Sequence, residues 1–319
     1  MAVTDFSYGT PLKKPLVTII IPVYGQQSYL NDLVASINRS TYDSIEIWIV
    51  DDFSSPSIRA PESRFPIFIE RNARNMGKAY SVNWGADLAR GSYLIITDPD
   101  IEFDPDLILK WVIAAEKNNR IGVAGTYVYY QSKPTVITHA GALIRMSRFT
   151  VSRRLVNVID DGHSMANFED PLLVMDDVYF VRKRAWDEVG GLDDENFDVM
   201  FEEADMQQRI AALGYSLVIV AETRAYHKQD PVVGMPLSRK NATYLVSHPL
   251  IVKSVRNRLV LFRKLKGRRT FALMIFSVVL FLFYCYLILT SEYKFKKKAK
   301  LFENLIVAVM SGLNGSLVV

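Results

Sequence analysis

The side chains of this chain best suited to metal chemistry are Asp98 and Asp100, in the sequence Thr97-Asp98-Pro99-Asp100. They follow an apolar run over 91–97 that predicts a short buried strand, in which residues i and i+2 point the same way. Pro99 has no N–H, so we expect sheet pairing to end here. Two neighbouring oxygen donors suit a hard cation such as Mg²⁺ or Mn²⁺. A solvated turn is the alternative, because Asp and Pro are common in turns.

A second group of carboxylates opens a predicted helix. Glu202, Glu203 and Asp205 stand just before an amphipathic pattern that includes Met206 and Ile210, so the three acids occupy its first turn. The helix dipole favours ionised carboxylates at that end, and one of them could act as a general base. An ordinary acidic first turn, which is frequent at helix starts, is the alternative.

Two further segments could contact a nucleotide. Asp51 and Asp52 close the second predicted strand, where a carboxylate can accept hydrogen bonds from a base or ribose; an N-cap or Asx-turn is the alternative. The segment from Asn75 to Lys78 contains a glycine and stands just before a predicted helix. A helix N-terminus with nearby cations can hold a diphosphate, although solvated basic loops are more common.

His227 is one of four histidines in the chain and follows an apolar run over 217–221. A neutral imidazole together with two carboxylates is a common ligand set for Mn²⁺. A structural role is the alternative, because most isolated histidines have one.

Strand and helix patterns alternate through the first hundred residues. Strands are predicted over 17–23, 45–50, 67–70, 91–97 and 122–130, and helices over 30–37, 79–89 and 105–118. This alternation predicts an α/β fold with a doubly wound, mostly parallel sheet and ligands at the strand carboxyl ends. Tyr24-Gly25-Gln26 follows the first strand instead of G-x-G-x-x-G, which argues against a dinucleotide oxidoreductase. Residues 131–170 show less regularity, and we treat 1–250 as one domain.

The net charge of +4 conceals a division between the two parts of the chain. Residues 1–250 carry 25 basic and 32 acidic residues, whereas residues 251–319 carry 13 and 2. A basic, apolar C-terminal region indicates an anionic membrane surface rather than nucleic acid, because the preceding domain lacks a basic stripe with interleaved aromatic residues. The single cysteine, Cys285, excludes an internal disulfide and a cysteine-based zinc site.

The C-terminal region contains 20 uncharged residues over 271–290, long enough as a helix to cross a hydrocarbon core. Basic clusters flank both ends, and the larger one precedes the helix, which places the main domain in the cytoplasm by the positive-inside rule. The second cluster leaves two alternatives: a spanning helix, or a helix lying in one leaflet with both flanks cytoplasmic. The composition of residues 301–319 predicts an interfacial or re-entrant segment.

Taken in order, these motifs resemble those of the family 2 inverting glycosyltransferases, which have a GT-A fold. The resemblance covers about residues 15–230. It is carried by residues 17–24, 49–52, 75–78, 83–85, 98–100, 189–193, 202–209 and His227.

The resemblance implies a role for each matched residue. The expected metal ligands are Asp98, Asp100 and His227, which would hold Mn²⁺ or Mg²⁺ against the donor diphosphate in a Lewis-acid role. The expected nucleotide-sugar-binding residues are Pro22, Tyr24, Asp51, Asn75, Lys78, Asp98 and Asp205.

One carboxylate of the acidic pair would take the proton of the acceptor hydroxyl, which attacks the anomeric carbon from the opposite face. We expect Glu203 to be this base. Because it stands where the family usually has Asp, the assignment between Glu203 and Glu202 stays open. Asp176-Asp177 stands where relatives often carry small residues and is expected to shape the donor or acceptor site.

The sequence therefore predicts a membrane-associated, metal-dependent inverting glycosyltransferase that uses a nucleotide-sugar. Its location suggests an amphiphilic acceptor, either a lipid-linked glycan or a glycolipid. The alternatives are a membrane-anchored nucleotide-sugar-binding protein without turnover and a sugar nucleotidyltransferase. The latter would need a basic, glycine-rich loop after the first strand. No nucleic-acid partner is expected, and the sequence does not identify the sugar, the nucleobase or the oligomeric state.

Overall fold

The computed structural model of the chain describes residues 14–147, 150–162, 165–197, 199–228, 251–266, 270–290 and 295–314. The strands are β1 (Val17–Val23), β2 (Ile45–Asp51), β3 (Ile67–Arg71), β4 (Tyr93–Thr97), β5 (Ile101–Phe103), β6 (Ile121–Tyr130), β7 (Lys133–His139), β8 (Ala142–Arg145), β9 (Thr150–Arg153), β10 (Val158–Ile159), β11 (Phe168–Glu169), β12 (Leu173–Val174), β13 (Val178–Arg182) and β14 (Ser216–His227). The helices are α1 (Gln27–Ile37), α2 (Lys78–Leu88), α3 (Leu107–Lys117), α4 (Lys183–Val189), α5 (Glu202–Ala212), α6 (Ile251–Lys266), α7 (Thr270–Thr290) and α8 (Phe295–Asn314).

The main sheet has a parallel centre in the order β3-β2-β1-β4, as the alternating pattern predicts. One apolar core packs α1 and α3 against one face of this sheet, and a second packs α2, α4 and α5 against the other. The centre of the sheet is therefore buried on both faces, which explains the uninterrupted apolar runs of β1 and β4. This arrangement confirms the predicted α/β fold.

The sheet continues beyond β4 with β6, which confirms the strand predicted over 122–130, and with β13 and β14, which the sequence did not predict. β13 lies antiparallel between β4 and β6, and β14 runs parallel to β6. Residues 131–170, which lack a clear pattern, contain β7 to β11, and β8 and β9 form a small second sheet with β12. The strands from β7 to β12 are two to seven residues long, and β7, β9 and β10 do not alternate between buried and exposed residues, so the pattern that identifies a half-buried strand is missing.

Strand pairing determines which polar residues meet at the edge of the sheet. β4 ends at Thr97, two residues before Pro99, as expected. Val178 of β13 pairs with Thr97, so Asp177 lies beside Asp98. His227, the last residue of β14, pairs with Ile101 of β5, next to Asp100. Sequence segments more than a hundred residues apart are thus brought to the end of β4.

The C-terminal helices pack against one another and against the sheet domain. The predicted helix over 271–290 is present as α7, and the predicted interfacial segment over 301–319 lies within α8 as far as Asn314. The remaining residues, 315–319, and residues 291–294 lie outside the described part of the chain. Within the ranges given above, no helix is both long and apolar enough to cross a membrane. The spanning alternative for 271–290 is therefore not supported.

Candidate active site

Asp100 and His227 lie side by side at the end of β4. Nε2 of His227 is 3.8 Å from Oδ2 of Asp100, and the N–H of Lys228 donates to the Asp100 carbonyl at 3.0 Å. The Asp100 side chain is 7% exposed and that of His227 is 20% exposed. The β5–β14 pairing thus fixes both residues through the backbone, as a preformed ligand site requires.

Asp98 points to a different neighbour, the ammonium group of Lys78. Nζ of Lys78 is 2.8 Å from Oδ1 of Asp98 and 2.8 Å from Oε1 of Glu203. One lysine therefore joins a predicted metal ligand to the predicted base. Burial opposes the charged form of this lysine, but the two carboxylates outweigh that effect and raise the pKa of Lys78 well above its usual range.

The environment of Asp98 is strongly acidic. Burial raises the pKa of Asp98 to about 6, Lys78 opposes this shift, and the nearby charges of Asp177 and Glu203 add to it. An excess of negative charge around a carboxylate is relieved by a cation. This carboxyl group is therefore placed to gain from a bound divalent ion.

Lys78 is positioned by a loop that Asp52 organises. Oδ1 of Asp52 accepts hydrogen bonds from the side chain of Asn72 at 2.7 Å and the N–H of Met76 at 2.6 Å, and Oδ2 accepts from the N–H of Gly77 at 3.0 Å. Gly77 has φ +89°, a left-handed conformation that suits a residue without Cβ. α2 begins at the next residue, so the loop directs Lys78 towards the carboxylates.

Asp51 also uses its carboxylate within its own loop. It is 1% exposed and accepts hydrogen bonds from the N–H groups of Ser54 at 2.8 Å and Ile58 at 3.3 Å and from the guanidinium of Arg71. Burial alone would raise the pKa of Asp51, but these bonds and the Arg71 charge lower it. Both aspartates thus have the turn-forming role that was the alternative. A nucleotide contact by Asp51 stays a prediction.

The remaining predicted nucleotide residues lie around this edge of the sheet. Pro22 is buried near the end of β1 and pairs with Val50 of β2. Tyr24, directly after β1, is 61% exposed, and Asn75 in the loop before α2 is also exposed. An exposed ring at the carboxyl end of a central strand is available to a ligand. Their contacts with a nucleotide stay predictions.

The two glutamates at the start of α5 differ in their surroundings. Glu203 contacts Lys78, with Nζ of the lysine 2.8 Å from its Oε1. Glu202 is 1% exposed, and its Oε2 has no hydrogen-bond partner among the residues described. Burial and the charge of Glu203 raise the pKa of Glu202 well above its usual range. The surroundings therefore disfavour the charged form of Glu202, whereas Lys78 lies beside the carboxyl group of Glu203.

Asp205 follows Glu203 by two residues in α5, is buried as well, and has different partners. Its carboxylate lies 2.8 Å from Nε of Arg209 and 2.5 Å from Nζ of Lys264 in α6. The first turn of α5 is acidic as predicted, but only Glu203 of its acids is ion-paired with Lys78. A contact of Asp205 with the donor stays a prediction.

A buried ionic cluster next to Asp98 was not predicted. Nε2 of His139 is 2.8 Å from Oδ2 of Asp177, and Nη2 of Arg153 is 2.8 Å from Asp176 and 3.0 Å from Asp177. Burial would raise the pKa of Asp177, but His139 and Arg153 lower it. The adjacent aspartates were noticed in the sequence. His139 carried no signal, because β7 has no clear pattern.

Two groups could hold a cation. His139, Asp176 and Asp177 offer ligand atoms within 4.8 Å of one another, but Arg153 already neutralises the two aspartates. At the end of β4, Asp100 and His227 provide oxygen and imidazole ligands, and Asp98 stands two residues away in an acidic environment. Carboxylate oxygens with one imidazole suit Mn²⁺. The residues at the end of β4 therefore fit the ion better.

A surface cavity of about 490 Å³ lies elsewhere, on the outer side of α2. It is lined by Tyr80, Asn83, Trp84, Asp87, Trp186, Asp187, Gly190, Gly191 and Asp194. None of these is among the predicted site residues. The functional groups described above instead meet at the end of β4, where the chemistry of the side chains, rather than the size of an opening, identifies the candidate site.

Comparisons with known proteins identify the proteins to which this chain is similar. Residues 18–172 match the sequence model named Glycosyl transferase family 2. An uncharacterized glycosyltransferase of Haemophilus influenzae is 31% identical over 119 residues, which cover 37% of this chain and 39% of the relative. The dolichol-phosphate mannosyltransferase of Pyrococcus furiosus is 28% identical over 117 residues, which cover 35% of this chain and 33% of the relative. The matched region thus spans well under half the length of these relatives.

A solved structure supports the fold independently. GalNAc-T7, determined with UDP, GalNAc and Mn²⁺, superposes with a TM-score of 0.57 at 18% identity, over 77% of this chain and 48% of that one. This level of identity establishes similarity of fold. Residues 18–172 of the chain are therefore similar to the family 2 glycosyltransferases, and the domain has a GT-A fold.

Proposed function

We propose that the protein is a metal-dependent, inverting glycosyltransferase that moves a sugar from a nucleotide-sugar to an acceptor hydroxyl. The observation that carries this proposal is the Lys78 bridge, which unites Asp98 and Glu203 at the end of β4. Asp98, a proposed ligand of the ion at the leaving diphosphate, and Glu203, the proposed acceptor of the hydroxyl proton, thus contact the same lysine side chain. Transfer in a single displacement needs this proximity.

Glu203 is the proposed base. Its carboxylate takes the proton of the acceptor hydroxyl, whose oxygen forms a bond to the anomeric carbon as the bond to the diphosphate oxygen breaks on the opposite face. This displacement inverts the anomeric centre. Glu202 is not suited to the role at neutral pH, because its environment favours the protonated form.

Lys78 is the proposed contact for the donor diphosphate. In the structure its ammonium neutralises Asp98 and Glu203. A diphosphate carries more negative charge than one carboxylate and would compete for the same ammonium group. Donor binding would then release Glu203 from its ion pair, so that the base is freed only when the donor is in place.

Asp98, Asp100 and His227 are the proposed ligands of Mn²⁺ or Mg²⁺. When bound, such an ion neutralises negative charge on the leaving diphosphate. The presence of UDP, GalNAc and Mn²⁺ in the GalNAc-T7 structure is in keeping with this donor and ion class. The nucleobase and the sugar of this protein's donor are left to experiment.

We infer that residues 251–319 attach the domain, residues 1–250, to a membrane surface and that the acceptor is lipid-linked. α7 exposes large apolar side chains, among them Val278, Val279, Leu282, Tyr286 and Leu289. Exposed apolar surface next to lysines favours an anionic lipid interface. In this arrangement both basic flanks lie on the cytoplasmic side together with the catalytic domain.

The test is a screen of labelled nucleotide-sugars with Mn²⁺, using vesicles that contain polyprenyl-phosphate-linked glycan as acceptor. The proposal expects a labelled lipid product from wild type, and none from Asp100→Ala or in the presence of chelator. Turnover that persists with chelator would refute the metal role. Binding of a nucleotide-sugar without turnover would support the non-catalytic alternative, and release of pyrophosphate would support the nucleotidyltransferase.

A further inference from the structure

We propose that Arg256 and Asn257 of α6 are positioning residues for the catalytic glutamates, a role that rests on the proposed function. Both side chains are only 1% exposed. They lie in the C-terminal region, which the sequence connects with membrane attachment, yet they contact the segment that leads into α5. The C-terminal helices would then form part of the active site as well as an anchor.

The segment before α5 has an unusual backbone. Met200 has φ +69° and Phe201 has φ +71°, so two consecutive residues with side chains adopt the left-handed conformation. This region is unfavourable for residues other than glycine, asparagine and aspartate. Such conformations persist where surrounding contacts enforce them, and they concentrate at functional sites. Glu202 and Glu203 follow directly.

Asn257 supplies the contacts that enforce this backbone. Its side-chain amide donates hydrogen bonds to the carbonyl of Val199 at 2.7 Å and to the carbonyl of Met200 at 3.2 Å. Nη1 of Arg256 donates to Oδ1 of Asn257 at 2.7 Å and also to the carbonyl of Asn196. Arg256 thus orients the amide of Asn257, and the amide holds two carbonyl groups immediately before Phe201.

Apolar contacts join the same two elements. Ala204, which follows Glu203 in α5, belongs to one buried cluster with Phe197 and with residues Leu259, Val260, Leu261 and Phe262 of α6. Lys264, one turn further on, pairs with Asp205 of α5 at 2.5 Å and with Asp193 at 2.7 Å. α6 therefore holds the first turn of α5 from its buried side, while Lys78 contacts it from the ligand side.

α6 is in turn held by α8. Nη1 of Arg263 donates to the carbonyl of Leu313 at 2.7 Å. A Cβ on Gly312 would lie 2.9 Å from Cβ of Leu259, so the two helices are in close backbone contact. A change in the position of α8 relative to α6 would therefore affect Arg256 and Asn257, the residues that position Glu203.

Asn257→Asp tests the positioning role. Aspartate has the size of asparagine but replaces the donating amide by an oxygen that faces two carbonyl oxygens. We expect kcat for transfer to fall about 100-fold, the effect of roughly a 1 Å misplacement of a catalytic group. Binding of UDP or GDP with Mn²⁺, whichever wild type binds, should change by less than threefold, because Lys78 and the end of β4 are untouched.

Asn257→Gln and a distant variant provide the controls. Glutamine keeps the donating amide, so kcat of Asn257→Gln should be at least tenfold higher than kcat of Asn257→Asp. Asn38→Asp makes the same chemical change where the amide donates to the carbonyl of Glu62 at 2.9 Å on the surface, and it should retain wild-type kcat.

The outcomes separate this proposal from the proposed function. If wild type transfers no sugar from any donor, the proposed function fails, and this proposal fails with it. If wild type is active and Asn257→Asp keeps its kcat, only the positioning role is refuted. A parallel loss of nucleotide binding and kcat in both Asn257 variants would assign α6 to general stability and would also overturn the positioning role.

Discussion

Nζ of Lys78 lies 2.8 Å from Oε1 of Glu203, although the two residues begin helices that are more than a hundred residues apart in sequence. The same ammonium is 2.8 Å from Oδ1 of Asp98. The contact makes the positive charge of the lysine part of both the proposed donor site and the environment of the proposed base. That charge offsets the negative charge of the buried Glu203 and of the partly buried Asp98.

Lys78→Met should weaken both donor binding and stability. Methionine keeps much of the side-chain volume but leaves Asp98 and Glu203 without their shared cation. Removing one partner of a buried ion pair costs about 3–5 kcal/mol of unfolding free energy. We also expect the KM for the donor to rise at least tenfold, which steady-state kinetics and urea unfolding would measure together.

The matched control for this substitution is Lys183→Met. Lys183 is 2.6 Å from Asp187 in an exposed i,i+4 pair, and such pairs contribute at most about 1 kcal/mol. If Lys78→Met were as stable and as active as Lys183→Met, the central role assigned to the Lys78 bridge would be wrong.

Substitution of each glutamate by glutamine should separate the base from its neighbour. Glu203→Gln removes the proton acceptor and should lower kcat by about 10²–10⁴-fold, the usual contribution of general base catalysis. Glu202→Gln replaces a protonated carboxyl by a neutral amide of the same shape and should keep kcat within about threefold. Single-turnover transfer at saturating donor would measure both. The reverse result would make Glu202 the base.

Glu202 should also make the stability of the protein depend on pH. Its pKa in the folded state is raised above the ordinary value of 4.5, so above pH 4.5 the unfolded chain releases a proton that the folded protein keeps. Stability from this group is therefore complete below pH 4.5 and decreases as the pH rises towards the folded-state pKa. Glu202→Gln should be more stable than wild type by up to about 1.4 kcal/mol for each pH unit within that window.

Urea unfolding of wild type and of Glu202→Gln at pH 4, 5.5 and 7 would test this pH dependence of stability. The two stabilities should coincide at pH 4 and separate progressively at higher pH. Glu62→Gln, at an exposed position, should follow wild type throughout. A constant difference between wild type and Glu202→Gln at all three pH values would show that Glu202 does not retain its proton.

Local patterns in the sequence predicted the elements that carry the site. β1, β2 and β4 are buried on both faces, and this leaves long apolar runs. Acidic residues end β2 and follow β4. The acids of α5 form its first turn, as their position before an amphipathic pattern predicted. Features that depend on ten or fifteen neighbouring residues could therefore be predicted from the sequence.

Contacts between segments that are distant in sequence could not be predicted. Asp98 and Asp100 were expected to point together from a strand, but β4 ends at Thr97, and the two side chains contact Lys78 and His227 respectively. The His139–Asp177 contact joins β7 to the residue before β13. No sequence pattern predicted either strand. Such contacts depend on sheet order and register, which periodicity alone does not determine.

Lysines of α8 should contribute to binding of anionic lipid. Lys296 and Lys297 are exposed, and so is the ring of Phe295. A basic residue near an anionic surface contributes about 1 kcal/mol, so replacing both lysines by glutamate should weaken binding to phosphatidylserine vesicles at least 30-fold. Co-sedimentation at low and high salt would measure it. The same exchange at Lys110 and Lys117 of α3 should have no effect, and unchanged binding of the α8 variant would refute this contribution.

The two candidate ion sites can be distinguished by comparing Asp100→Ala with Asp176→Ala. Nε2 of His227 lies 3.8 Å from Oδ2 of Asp100, whereas Nη2 of Arg153 lies 2.8 Å from Oδ2 of Asp176. A cation at Asp176 would have to displace or approach that guanidinium, which opposes binding. Mn²⁺ affinity measured by electron paramagnetic resonance should therefore fall at least tenfold in Asp100→Ala and change less than threefold in Asp176→Ala. If Asp176→Ala alone lost the ion, the site would belong to the His139 cluster, and Asp100 and His227 would need another role in donor binding.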